Sequence, residues 1–193
     1  SVGELLLSLL TNWLNILRNN APVGIIALGM TFVIISGGID LSVGSTLVAV
    51  GAMVMMVVDG SATGLLAGMG ITGVPAYIIA IAVGLVFGAL LGWLNGVLIA
   101  HGKLPPFIAT LGTMFCARGV AYMANGNRNT DAIVSGLGKE AGDAFQNFFY
   151  YGKFLGIYNA FWIAFVIFLA VFFIMSKTRT GRHIYAIGSN VDA

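Results

Sequence analysis

Residues Gly37-Gly38-Ile39-Asp40-Leu41-Ser42-Val43-Gly44-Ser45 interrupt a long apolar region and divide it into two runs, Ala21–Ser36 and Leu41–Val58. Each run is about 16–18 residues, roughly 24–27 Å of helix at 1.5 Å per residue. A bilayer core about 30 Å thick asks for about 20 residues, so the pair reads as two slightly short membrane helices joined by a glycine-framed turn. Glycine frees the backbone to turn or unwind. Lipid offers irregular backbone no partner, so such a segment must face protein or a water-filled cavity. Asp40 and Ser42 are therefore candidates for a polar core or a pathway lining. Asp40 has a second reading as a cap for the following helix, its carboxylate accepting backbone N–H groups and complementing the dipole. The two roles are compatible.

The rest of the chain fits a membrane setting. Of 193 residues, 59% are hydrophobic and 8% charged, with 27 glycines and a mean hydropathy of +0.97. A soluble domain carries about 25% charge, and a disordered chain needs low hydrophobicity. The net charge of +2 is too small for a nucleic-acid footprint. The single cysteine, Cys116, cannot form an internal disulfide. The class that remains is an all-α, polytopic transmembrane helical bundle. Both ends read as cut, and residues 1–20 lack the basic start of a signal peptide.

Working outward, Ile78–Ala100 and Leu155–Met175 are clean spans, and Phe107–Ala124 is a shorter one. About five spans result. Within residues 1–20, Leu5, Leu6, Leu9, Leu10, Trp13, Leu14 and Leu17 recur at helical spacing opposite Asn12, Asn15, Arg18 and Asn19. This predicts an amphipathic interfacial helix. The expected divisions are this helix at 1–20, core spans within 21–124, an extracytoplasmic loop at 125–153, a last span at 154–176 and a cytoplasmic segment at 177–193. Orientation follows the basic cluster Lys177, Arg179, Arg182 and His183, which belongs in the cytoplasm. Counting back places 125–153 outside and the Gly37–Asp40 turn inside. Arg18 then falls on the disfavoured side.

Three further features carry physics. Arg118 lies within the Phe107–Ala124 run, where a charge costs at least roughly 2.5–3.5 kcal/mol at the bilayer centre. Either it faces the interior, with Asp40 as a partner, or it snorkels to the outer interface. Gly84, Gly88, Gly92 and Gly96 form a ladder spaced by four, which lets another helix approach closely. Asn95 beside it is placed to hydrogen-bond between helices. No nucleophile–base arrangement, metal-ligand motif or phosphate-binding glycine loop accompanies these residues. No enzyme activity, metal or cofactor is therefore expected.

Three stretches resemble the permease subunits of bacterial ABC importers for monosaccharides. They are Asn15–Asn19 with Ala27–Ile34 leading into Gly37–Ser45, then Leu104–Thr113 with Ala117-Arg118-Gly119, and Thr178–Arg182 with Ile184–Asn190. Gly188-Ser189-Asn190 departs slightly from the more usual Gly-Gly-Asn. The resemblance implies a subunit of a dimeric pore in the bacterial inner membrane. Its partners would be a cytoplasmic ATP-binding subunit, an extracytoplasmic sugar-binding protein and a second permease subunit. Arg182, Gly188 and Asn190 would contact the ATPase, and a cytoplasmic helix would begin near Asp192. An ion-coupled secondary transporter or channel using Asp40 is the alternative.

Overall fold

The computed structural model describes residues 2–58, 65–71, 73–126, 143 and 145–189. The helices are α1 (Val2–Ile35), α2 (Val43–Val58), α3 (Val74–Ala100), α4 (Pro106–Asn125), α5 (Asn159–Lys177) and α6 (Arg179–Ser189). A two-residue hairpin, β1 (Lys153–Phe154) and β2 (Ile157–Tyr158), precedes α5. The chain forms two compact units, Ile39–Phe145 and Ser1–Gly38 with Gln146–Ala193. Helices α1, α3 and α5 are long and apolar enough to span a bilayer, and α2 is a shorter apolar helix. Helix α4, the remaining expected span, is 20 residues long and less apolar.

In the first unit, α2 packs against both α3 and α4. Small residues set these spacings. Ala49 and Ala52 of α2 bury against Ala117 and Ala121 of α4. A Cβ on Gly84 would stand 2.5 Å from Val54 Cγ2, and one on Gly88 would stand 3.4 Å from Val50 Cγ2. Gly92 and Gly96 have nothing within 4 Å of that position. The ladder is thus divided: its first half is an α2 contact within this chain, and its second half is open. A second cluster, Val57, Val58, Leu66, Ala76, Tyr77 and Ala80, closes the other end of the α2–α3 seam, with Phe145 stacked on Tyr77. Helix α3 starts before Ile78 because Pro75 occupies its first turn, where a missing N–H costs nothing.

In the other unit, α1 corrects the expected division at residue 20. It runs unbroken through Pro22, whose fixed φ is helical even though its N–H is lost. Helix α1 packs on α5, and Tyr158, just before α5, bonds Asn15. Residues before Asn15 continue the same helix, with Leu5, Leu6, Leu10 and Trp13 exposed. The helix ends in a Schellman motif. Gly37, at φ +76°, donates to Ile34 O at 3.0 Å, and Gly38 donates to Val33 O at 2.9 Å.

Two more expectations change here. The last span begins at Asn159, because Leu155 and Gly156 at φ +53° and +80° make the turn of the hairpin. The basic segment after α5 is itself helical. Thr178 caps α6, its Oγ1 accepting Gly181 N–H at 3.3 Å. The expected extracytoplasmic loop lies largely outside the described residues, as do Asn190 and the helix expected near Asp192.

Gly84→Leu should therefore destabilise the full-length protein by about 1–3 kcal/mol through overpacking, read as a lower unfolding midpoint in detergent. Adding Val54→Ala should recover much of it, whereas Gly92→Leu should be far milder.

Candidate functional site

The polar residues of α2, α3 and α4 converge on one hydrogen-bond chain. Asp40 Oδ1 accepts Ser42 N–H at 2.8 Å and Ser42 Oγ–H at 2.6 Å. The first bond is an Asx-turn, which sets the backbone for entry into α2. Ser42 then precedes Val43, and its carbonyl accepts Thr46 N–H at 2.7 Å, the first turn of the helix. Asp40 therefore acts one step upstream of a cap: it fixes the residue from which the helix starts.

From Ser42 the chain crosses to α3. Asn95 Nδ2 donates to Ser42 Oγ at 3.1 Å. Thr113 Oγ1 of α4 donates to Asn95 Oδ1. Every donor points the same way, from Thr113 through Asn95 and Ser42 to the carboxylate, and a charged acceptor at the end strengthens each bond before it. Ser42, Asn95 and Thr113 are buried, while Asp40 is only partly so. One turn away on α4, Thr110 is 1% exposed. Its hydroxyl accepts Leu41 N–H at 3.2 Å and donates to Pro106 O at 2.8 Å. Thr110 thus holds the Ile39–Ser42 segment to α4, and Thr113 holds α4 to α3 through Asn95. Pro105 caps α4 and Pro106 opens it, with both threonines in its next two turns.

The structure brings together three of the four expected polar residues, Asp40, Ser42 and Asn95. Thr110 and Thr113 complete the set; their signal in the sequence is a pair at i, i+3 in an otherwise apolar turn. Arg118 is not part of it. It is exposed, one residue past buried Ala117, and among the described residues it forms no ion pair with Asp40. The α4 face that reaches α2 is taken by Ala117 and Ala121, and a guanidinium at position 118 falls off that face.

The remaining expected residues lie on α6. Gly181 sits under the last carbonyls of α5: a Cβ there would meet Met175 O and Ile174 O. Gly188 sits against the end of α1, where a Cβ would meet Ile35 O. Arg182 is exposed. Asn190 is outside the described residues.

Residues 12–193 match the family described as branched-chain amino acid transport system / permease component. The chain belongs to this permease family. Among curated relatives, it is 40% identical over 179 residues to a ribose import permease protein of Haemophilus influenzae, covering 93% of this chain and 50% of that one. It is 43% identical over 183 residues to the ribose import permease protein of Bacillus subtilis, covering 94% and 50%. A fructose import permease protein of Bifidobacterium longum is 37% identical, covering 93% and 46%. The chain thus spans about half the length of the curated relatives it matches. No solved structure matches it.

Because the helices meet through this polar chain, Asn95→Ala should lower the unfolding midpoint of the full-length protein in detergent, as should Thr113→Val. A double-mutant cycle between the two should give a coupling of about 0.6–1.7 kcal/mol, the range of hydrogen bonds between membrane helices. Additive effects would break the chain at that link.

Proposed function

We propose that the chain is part of the membrane-spanning permease subunit of an ATP-driven monosaccharide importer in the bacterial inner membrane. One observation carries this reading: relatives named for ribose, fructose and galactose import match 93–95% of the chain at 33–43% identity. The family description names branched-chain amino acids; the named sugar relatives favour a sugar.

ATP hydrolysis belongs to a separate cytoplasmic subunit, sugar delivery to an extracytoplasmic binding protein, and the second half of the pore to another permease subunit. The basic run through Lys177, Arg179 and Arg182 orients α6 toward the cytoplasm, which puts the start of α5 outside. Transport then requires two arrangements of these helices, each preferred by a different partner. The Asp40–Ser42–Asn95–Thr113 chain supports a role as a fixed polar core beside the pathway. Arg118, exposed on α4, is assigned to the pathway or to the facing subunit. Arg182 and Gly188 on α6, with Asn190, are assigned to the ATPase contact; the exposure of Arg182 on the helix that the basic run places in the cytoplasm supports it.

Reconstitution of the full-length permease with its ATP-binding subunit and binding protein tests this. Labelled ribose or a related monosaccharide should accumulate only with ATP and a binding protein, should persist when ionophores collapse ion gradients, and should not be displaced by leucine. Uptake that stops with the ion gradient while ATP is present would favour the ion-coupled alternative. Asp40→Asn, which weakens bonds to a charged acceptor by about 1–2 kcal/mol, should lower the unfolding midpoint of the full-length protein in detergent.

A further inference from the structure

Two cations share one aromatic ring just before α5. The Arg18 guanidinium of α1 lies 4.7 Å from the Tyr158 ring centre, 4.8 Å from that of Tyr150 and 5.3 Å from that of Tyr151. The Lys153 ammonium lies 4.8 Å from the same Tyr158 ring. Lys153 pairs with Tyr158 across the hairpin, so the register itself sets this contact. The rings are fixed from the other side. Tyr158 OH donates to Asn15 Oδ1 at 3.2 Å, and Tyr150 OH donates to Asn19 Oδ1 at 2.7 Å. Arg18 Nε also donates to Asn19 Oδ1, at 3.3 Å.

Ring faces attract each cation, but they do not neutralise two like charges brought to one ring. Among the described residues, neither Arg18 nor Lys153 forms an ion pair with a carboxylate. The Tyr150 and Tyr158 hydroxyls are already committed as donors to Asn19 and Asn15, so they leave the charge of half-buried Arg18 and exposed Lys153 uncompensated. What surrounds them is aromatic. Phe148, Tyr151 and Phe154 are exposed, and Trp162, within the first turns of α5, donates its indole N–H to Phe154 O at 3.0 Å. Tyrosine and tryptophan concentrate where a span meets the headgroups. In the orientation proposed above, this is the extracytoplasmic end, where the charge rule gives no reason to place arginine or lysine. The pair therefore needs a local reason.

We propose that Arg18 and Lys153 together bind the phosphate of an anionic phospholipid headgroup, with Tyr158 as the platform between them. A guanidinium and an ammonium offer the phosphate complementary donors, the first a planar fork and the second a point charge. The exposed aromatic side chains beside them suit a lipid at the interface better than a protein carboxylate. The proposal rests on the orientation and not on the transported substrate.

The test uses the full-length permease in its assembled complex, purified in detergent. Added phosphatidylglycerol should raise the unfolding midpoint, while phosphatidylcholine and millimolar inorganic phosphate should not. In the Arg18→Gln/Lys153→Gln pair, apparent affinity for phosphatidylglycerol should fall roughly thirtyfold, about fivefold per interfacial cation. Should Arg18→Gln fail to assemble, Lys153→Gln alone should weaken binding about fivefold and reduce the phosphatidylglycerol retained in native mass spectra. An equal response to phosphatidylcholine or to inorganic phosphate, or an unchanged lipid affinity in these variants, overturns the proposal. So does loss of binding-protein affinity with the lipid response intact, which would mark the pair as a protein contact. ATP-driven uptake, measured in parallel, keeps failure of the lipid site distinct from failure of the importer reading.

Discussion

Polar groups among apolar helices must find partners in the protein, because nothing else at that depth will supply them. The three-helix unit is organised around that constraint. The Gly37–Asp40 turn and the start of α2 expose backbone that a continuous helix would have satisfied. Asp40 and Thr110 take up bonds of that backbone at Ser42, Leu41 and Ile39, and Asn95 and Thr113 satisfy the Ser42 hydroxyl and each other. A partner lost from such a set leaves a buried donor or acceptor behind, at about 1–3 kcal/mol. Small residues elsewhere in the unit serve the same end: Ala49, Ala52, Ala117, Ala121 and Gly84 bring the helices close enough for short side chains to reach one another.

Much of this was legible in the residues. Hydropathy and length marked the helices, because a bilayer fixes how many apolar residues must run together. Asp40, Ser42 and Asn95 stood out because polar residues are rare in such runs. Thr110 and Thr113 did not, since threonine in an apolar helix commonly returns its hydroxyl to the carbonyl a turn before it. Thr110 does so here and also accepts Leu41 N–H, whereas Thr113 gives its proton to Asn95; neither bond to another segment is encoded by a local pattern.

The misreadings have physical sources. For Arg118 the sequence left two readings, a partner for Asp40 or an exposed side chain, because composition does not say which side of α4 a residue occupies; the alanines beside it decide that. Residues 1–20 were read as a helix of their own because their pattern is amphipathic, but Pro22 does not end the helix. The segment after α5 was read only as cytoplasmic, with a helix beginning near Asp192. Thr178 gives α6 its start, and Gly181 lets it fold back tightly under the end of α5.

Gly188 meets the terminal carbonyl of α1 with no side chain between them. Backbone against backbone is nearly incompressible, since there is no rotamer to yield. A force that shifts α6 along that line must be passed to the last turn of α1 almost undiminished, and from there to the Schellman turn at Gly37. The two glycines thus sit at opposite ends of one short, stiff strut.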